Sequence, residues 1–303
     1  MWPIRRTKPI GEKFGFSVPA FIRNMDYFLV TIDCYSDGVI DAWGGLDLDL
    51  FDEKLRSGWV WSEAPDGSSL SIHNLGGVKV SSGQWLRSIS ELRSEIHLAI
   101  RSLNPELLNL VNLEGEASEK RGKVRYSKLG LPNPKPYKRS KDGNVILGES
   151  LPIIVQEEAE NVISKWFIFS DGTSQIGAEG PLVSLGEVEE KIRLGGLTTK
   201  LVDGKWTRIP TLGVFKPVDS RSYVNPTERI REAQDLFSTL QGSRGSIEKC
   251  RLAYAEYEEN PSDVTRHNLK QAYENVPEHL RMYCGDMDSK DFLIRAAIYG
   301  DAA

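Results

Sequence analysis

The chain has 303 residues, of which 40 % are hydrophobic and 27 % are charged, and its formal net charge is −5. A chain of this length can bury a sizeable core in two or three folding units, and its composition excludes disordered and fibrous classes. Cys34, Cys250 and Cys284 are an odd number of cysteines without a CxxC spacing, which argues against a disulfide framework and a cysteine-rich zinc site.

No apolar run follows the basic residues near the N-terminus, and no run approaches the length that spans a bilayer. We therefore expect a protein that is neither exported nor inserted into a membrane. Since the cysteine pattern favours a reducing compartment, a cytoplasmic location is expected.

The first strong pattern in the chain is a β-hairpin. Residues 27–35 are rich in aromatic and β-branched side chains, and Ser36-Asp37-Gly38 follows with a glycine suited to a tight turn. A three-residue loop places Cys34 opposite Ile40 on one face. The same register places Asp33 opposite Asp41 on the other face.

A short helix and two further strands are predicted next. Asp47 can cap a helix that ends at Gly58, and Asp66-Gly67 can connect the two strands after it. The order is that of a ββαββ module. Helical spacing then predicts a helix within residues 85–110.

A basic segment follows the first module. Residues 119–141 carry nine basic side chains and one acidic side chain, together with Pro132, Pro134 and Pro136. Prolines, glycines and like charges are typical of an exposed loop or linker.

The chain then repeats itself. A shift of 137 positions aligns residues 48–79 with residues 185–216 without a gap, and eleven of the 32 aligned residues are identical. Ser36-Asp37-Gly38 recurs as Ser170-Asp171-Gly172 at a shift of 134. Ser184 and Glu187 form a capping box in the second copy, where Asp47 caps the first. We expect the two copies to have the same strand order.

From Asn225 onward the pattern predicts helices only, beginning with Asn225-Pro226-Thr227-Glu228, an N-cap followed by proline and an acidic third position. The predicted fold class is therefore α+β, with two degenerate ββαββ modules followed by a small C-terminal helical bundle. The expected divisions are the first module with its helix (1–118), the basic loop or linker (119–150), the second module (151–218) and the bundle (219–303).

Catalytic motifs are sparse. The chain contains no GxGxxG, P-loop, HExxH or GxSxG sequence. Opposed carboxylates at Asp33 and Asp41 repel unless a cation neutralises them, and such pairs occur at acid/base and metal sites as well as on solvated faces. Together with His73, expected on a strand, they are the catalytic candidates.

His279, Cys284, Asp286 and Asp288 are the densest group of potential metal ligands. Asp288 is better explained as the N-cap of a last helix, so no metal site and no cofactor are expected.

The two copies differ at residues that could bind a partner. Trp59 and Trp61 in the first copy align with Gly196 and Thr198, and aromatic pairs on one strand face are typical of interfaces. They are the candidate partner-binding residues, the alternative being that they cover the contact between the modules or the following helix. The basic segment offers a second hypothesis, nucleic-acid binding, through six residues: Lys120, Arg121, Lys123, Arg125, Lys138 and Arg139.

These patterns favour a non-catalytic cytosolic protein that binds a macromolecular partner, which an immunity, antitoxin or defence-complex subunit would fit. The alternative is an enzyme acting on nucleic acid, with the Asp33/Asp41 face as its site and the basic segment as its substrate guide. A protein partner is expected, nucleic acid is a second option, and the sequence leaves the oligomeric state open.

Overall fold

A computed structural model describes residues 2–6, 12–112, 118–121, 124–127 and 134–300, with the backbone alone for Trp2, 118–121 and 124–127. The chain forms two compact units, Met1–Ser222 and Tyr223–Ala303. Within the described ranges, no helix combines the length and the apolar character needed to cross a bilayer.

The first copy of the repeat contains eight strands and two helices. In chain order they are β1 (Trp2–Arg6), β2 (Lys13–Asn24), β3 (Asp26–Tyr35), β4 (Ile40–Asp41), β5 (Gly45–Leu46), α1 (Leu48–Arg56), β6 (Val60–Trp61), β7 (Ser69–Ile72), β8 (Gly76–Trp85) and α2 (Ile89–Leu103).

A two-stranded hairpin separates the copies, and the second copy repeats the eight strands and the first helix. The hairpin comprises β9 (Ser118–Arg121) and β10 (Val124–Ser127). The second copy comprises β11 (Lys135–Arg139), β12 (Val145–Gln156), β13 (Asn161–Phe169), β14 (Thr173–Ile176), β15 (Val183–Ser184), α3 (Leu185–Arg193), β16 (Leu197–Thr198), β17 (Thr207–Ile209) and β18 (Gly213–Ser222).

Ten of these strands close into one β-barrel in the order β1-β2-β3-β7-β8-β18-β17-β13-β12-β11, and β11 returns to β1. Each copy contributes five consecutive strands of the ring. The copies meet at two antiparallel seams, β1 with β11 and β8 with β18. The duplicated halves therefore share one barrel instead of forming separate domains.

The expectation that both copies have one strand order is confirmed, because β3-β7-β8 and β13-β17-β18 are paired alike. The ββαββ description is incomplete, since each copy adds two barrel strands before the predicted hairpin. The predicted loop at 119–150 is also partly wrong, because β11 and the first half of β12 lie within it as barrel strands.

Local chemistry explains the matching helices. The Asp47 carboxylate accepts the Leu50 N–H at 2.7 Å at the start of α1, whereas Ser184 and Glu187 form a complete capping box on α3. After each helix a glycine has positive φ, 70° at Gly58 and 81° at Gly195.

Two apolar clusters lie on the two faces of the barrel wall. One joins strand residues such as Ile32 and Cys34 to Leu92 and Ile96 of α2, so it lies outside the barrel, beneath the helices. The other joins side chains from both copies, including Phe21 and Ile163. Because successive side chains of a strand face opposite sides, this second cluster fills the barrel interior.

The second unit is helical, as predicted. It contains α4 (Pro226–Leu240), α5 (Ser246–Glu259), α6 (Asp263–Asn275), a short 3-10 helix (Glu278–Tyr283) and α7 (Phe292–Tyr299). Its core includes Cys250, Leu269, Tyr273 and Cys284. The last helix takes Asp291 as its N-cap, so the assignment of that role to Asp288 was wrong.

Candidate functional site

The two carboxylates of the first hairpin face each other, as the turn predicts. Asp33 pairs with Asp41, and Cys34 pairs with Ile40. Asp33 is 5 % exposed. Since Ile32 and Cys34 belong to the cluster outside the barrel, Asp33 points inward. The face that carries Asp33 is therefore the barrel interior and not a solvated surface.

Burial raises the pKa of Asp33 to about 7, while Lys165, the Ser17 hydroxyl and Thr31 act in the opposite direction. The Ser17 hydroxyl donates a hydrogen bond to Asp33. Lys165 is two residues after Ile163 and therefore also points inward. Burial lowers the pKa of Lys165, and Asp33 opposes that effect.

Asp41 lies in a less buried environment. Burial raises its pKa, and a hydrogen bond from the Gly44 N–H at 3.0 Å and the charge of Arg6 oppose the rise. The carboxylate pair is thus neutralised in part by a lysine from the other copy. Sequence reasoning missed Lys165, although the shift of 134 aligns it with Thr31.

A second charged arrangement occurs once in each copy, and in both it includes the aspartate of the repeated Ser-Asp-Gly sequence. In the first copy, Arg6 of β1 forms an ion pair with Asp37, and its guanidinium lies 4.2 Å from the centre of the Tyr35 ring. We call this arrangement the first clamp. It joins the start of the barrel to the turn after β3.

The second clamp has the same construction. Lys138 of β11 pairs with Asp171 at 2.8 Å, and its ammonium lies 5.0 Å from the centre of the Phe169 ring. The nucleic-acid hypothesis assigned Lys138 to phosphate binding, but its charge is engaged by this aspartate. Arg139 is exposed and stacks near Phe14 and Tyr137.

The other residues of that hypothesis, Lys120, Arg121, Lys123 and Arg125, have side chains outside the described residues. His73 is exposed and lies in the turn between β7 and β8, so its assignment to a strand was wrong. Within the described ranges, no three His, Cys, Asp or Glu side chains are placed to hold a metal ion.

Trp59 and Trp61 are both half-buried but contact different clusters. Trp59 packs against the cluster beneath the helices, and the Lys54 ammonium lies 5.0 Å from its ring. Trp61 packs against the interior cluster and donates its indole N–H to the Gly58 carbonyl. The two rings therefore do not form the shared aromatic face expected from their spacing.

Trp59 instead belongs to a different group of rings. Trp43 lies 6.3 Å from Trp59 and 4.9 Å from Phe28, both in edge-on geometry. We call Phe28, Trp43 and Trp59 the first-copy aromatic surface. Trp43 is 55 % exposed. The sequence carried a signal for it, because the shift of 134 aligns Trp43 with Gly177.

Trp43 has an unusual backbone conformation. Its φ is +62°, close to the +69° of Gly177, and left-handed backbone is unfavourable for a bulky side chain. The second copy satisfies this conformation with glycine. The first copy keeps a large aromatic there, and that side chain is held partly in solvent.

The fold and its duplicated wall define a class of protein, a closed barrel built from two copies of one unit and followed by a helical unit. A family model described as Domain of unknown function (DUF7638) matches residues 11–107 and 136–244. The chain belongs to this family. A second model, Domain of unknown function (DUF7639), matches residues 245–303.

The matched segments extend the repeat beyond the barrel. The first segment includes α2 and the second includes α4, and both helices have 15 residues whose starts differ by 137 positions. Ser88 and Asn225 are their N-caps at aligned positions. Comparisons with curated proteins and with solved structures found no match.

Proposed function

We propose that this protein binds a protein partner in the cytosol, without catalysis, through the first-copy aromatic surface. The observation that carries the proposal is Trp43, a half-exposed tryptophan in left-handed backbone where the sister copy has glycine. A bulky residue in this region costs about 1–2 kcal/mol. A functional role for the exposed ring accounts for its retention at such a site.

The chemistry of the surface suits protein recognition. Tryptophan is enriched among the residues that dominate binding energy, and Phe28 and Trp59 hold the Trp43 ring in place by edge-on contacts. A ring fixed before binding loses little conformational entropy when a partner covers it. The partner surface is expected to present an apolar side chain that packs against Trp43.

The second copy supports the assignment by contrast. At the positions of Phe28, Trp43 and Trp59 it has Val162, Gly177 and Gly196. The hairpin tips differ as well. The turn between β2 and β3 presents Met25, which is 97 % exposed, whereas the turn between β12 and β13 carries three glutamates, at 157, 158 and 160. Recognition is therefore expected on the first copy only.

The cytosolic assignment rests on the cysteines. Cys34, Cys250 and Cys284 are buried free thiols. Such thiols are typical of proteins in reducing compartments. An immunity, antitoxin or defence-complex subunit is one kind of protein to which this proposal would apply.

The alternative, an enzyme acting on nucleic acid, has one supporting observation, the raised pKa of Asp33 beside Lys165. Its geometry is less favourable. A catalytic carboxylate must reach its substrate, but Asp33 is 5 % exposed and faces a packed interior. We therefore place partner binding first.

The test is a comparison of two variants in the native host. Trp43→Gly installs the sister residue and removes the exposed ring. Leu182→Ala is the matched control, because Leu182 is 54 % exposed on the second copy. Tagged proteins are isolated and the co-purifying proteins are quantified by mass spectrometry.

The expected result is a partner that is retained by the unchanged protein and by Leu182→Ala but lost with Trp43→Gly. With the purified partner, Trp43→Gly should weaken binding by about 2 kcal/mol or more, roughly 30-fold. Its melting temperature should be unchanged or higher, because glycine relieves the strain of the left-handed backbone. Equal recovery of every partner by both variants would refute the proposal. So would a large fall in the melting temperature of Trp43→Gly, because it would make the ring structural.

A further inference from the structure

A cavity of about 340 Å³ lies beside the seam between β8 and β18. Its apolar lining includes Leu75, Val78 and Leu201, and its polar lining includes Lys200, Ser220 and Arg221. Both copies contribute to it. Neither the carboxylate pair nor the first-copy aromatic surface borders it, so its chemistry is independent of the function proposed above.

Ser222 lies at the end of β18, and the equivalent space at the end of β8, in the first copy, is filled by the indole of Trp85. That ring packs edge-on against Phe21 at 5.0 Å and stacks on Phe215 at 6.2 Å, and its N–H donates to the Ala64 carbonyl at 3.0 Å. The shift of 137 aligns Trp85 with Ser222. A small side chain therefore lines the cavity where the sister copy has the largest side chain of all.

The walls of the cavity confirm the correspondence. Val78 aligns with Phe215, and Leu201 aligns with Ala64. Two of the residues that contact the Trp85 indole, Phe215 and Ala64, thus have counterparts that line the cavity. Because the equivalent backbone surrounds an indole in the first copy, the apolar side of the cavity, formed by Leu75, Val78 and Leu201, is expected to accommodate a flat ring.

The charge around the cavity also changed between the copies. Lys200 stands at the position of Glu63, and Arg221 stands at the position of Gln84. Both cations are exposed, and among the described ion pairs neither has a carboxylate within 4.0 Å. Arg221 is attracted electrostatically to Asp219, but that carboxylate binds Lys79 at 2.9 Å.

A backbone irregularity places a hydroxyl beside these cations. The register of β18 on β8 shifts between Val218 and Arg221, and Asp219 in this bulge has φ of +54°. The Ser220 N–H is held by Asp203 at 3.1 Å. The Ser220 hydroxyl is buried with no hydrogen-bond partner in the described part of the chain. Bulges commonly re-aim side chains at functional sites, and a buried hydroxyl without a partner is costly.

We propose that this cavity binds a small organic anion with a flat apolar body about the size of an indole. The ring of the ligand would occupy the space that Trp85 fills in the sister copy. Its carboxylate or phosphate would be bound by Lys200 and Arg221 and would accept the hydrogen bond of Ser220. In this arrangement Ser222 leaves the space for the ring, and Lys200, Arg221 and Ser220 bind the anionic group.

Isothermal titration calorimetry of the full chain tests the proposal with three probes. Indole-3-acetate has both the aromatic ring and the negative charge, indole has only the ring, and inorganic phosphate has only the charge. Indole-3-acetate should bind at least about tenfold more tightly than either of the others, because it alone gains the charge-assisted hydrogen bonds and the apolar contact. Its binding should weaken as salt is raised.

Two variants separate the contributions. Ser222→Trp installs the sister residue, fills the cavity and should abolish binding of indole-3-acetate and indole alike. The double variant Lys200→Glu, Arg221→Gln installs the sister residues at exposed positions. It should reduce the affinity for indole-3-acetate to that for indole, and it decides the question if Ser222→Trp fails to fold.

Three results would overturn the proposal. They are no binding of any probe, equal affinity for indole-3-acetate before and after Ser222→Trp, and phosphate binding as tight as that of indole-3-acetate. Loss of partner binding in Trp43→Gly leaves all of these measurements unaffected, so the two proposals fail or stand separately.

Discussion

Replacing Arg6 with methionine should destabilise the protein far more than the same change at Lys138. The two clamps have the same construction, but they differ in exposure. The side chains of Arg6 and Asp37 are 0 % and 5 % exposed, whereas those of Lys138 and Asp171 are 15 % and 36 % exposed. The pair of substitutions therefore compares a buried and a more exposed basic–aspartate pair, each beside an aromatic ring, within one molecule.

The magnitudes follow from burial. Arg6→Met leaves Asp37 buried without its counter-ion, which costs about 3–5 kcal/mol, and it also removes the contact with the Tyr35 ring, which contributes about 1 kcal/mol. At Lys138 water reaches Asp171 after the substitution, so the expected loss is about 1 kcal/mol. The double variant Arg6→Met, Asp37→Asn leaves no buried charge at the clamp and should recover part of the loss.

Urea unfolding at pH 7, followed by circular dichroism and tryptophan fluorescence, gives the free energies. Added salt should diminish the effect of Lys138→Met and leave that of Arg6→Met nearly unchanged. Equal losses at the two clamps, or a double variant as unstable as Arg6→Met alone, would show that burial of the ion pair does not set its contribution.

Two further predictions concern the barrel wall. Because the pKa of Asp33 is raised in the folded protein, the folded state keeps a proton that the unfolded chain releases. The free energy of unfolding of the unchanged protein should therefore fall by about 2 to 3 kcal/mol between pH 5 and pH 8, relative to Asp33→Asn. Parallel pH profiles of the two proteins in urea unfolding would contradict the burial of this carboxyl. Gly76→Ala should destabilise the protein by about 3 kcal/mol, because a Cβ at Gly76 would lie 1.9 Å from the Arg221 carbonyl oxygen across the seam. Gly67→Ala has nothing within 4 Å and should cost only the strain of a positive φ, about 1 kcal/mol. Similar melting temperatures for the two variants would refute the close approach at Gly76.

The sequence predicted features that depend on short-range chemistry. The Ser36-Asp37-Gly38 turn determined the register of Asp33 and Asp41, and the caps at Asp47 and Ser184 determined where α1 and α3 begin. These features involve contacts between residues close together in the chain. They could therefore be derived without knowing the rest of the fold.

The barrel itself could not be predicted, because closure joins residues that are distant in sequence. β2 was missed since Pro19 interrupts its pattern, although the structure pairs it along its whole length and places Pro152 at the aligned position of β12. Different insertions change the shift between the copies from 137 to 134 to 133, which hid this part of the repeat. The inward location of Lys165 beside Asp33 follows only from the closed ring.

The candidate sites also include features that the sequence reveals and features that it does not. The aligned pair Trp59 and Gly196 was visible in the ungapped repeat, whereas Trp43 and Gly177 lie in the part where the shift changes. The cavity depends on Ser222, a small residue at the position of Trp85. Its significance is not visible in the sequence, because it depends on which side chains surround Trp85 in the folded barrel.

The two seams imply an origin for the molecule. One copy alone would end in two open edges, β1 and β8, each with a row of unsatisfied backbone donors and acceptors. Two such units can pair edge to edge and leave none open, as a symmetric homodimer would, and a gene fusion then makes that dimer permanent. Once covalently joined, the halves no longer had to carry the same surface. Sequence drift could then introduce large side chains on one half and small ones on the other, while the shared barrel kept both halves folded.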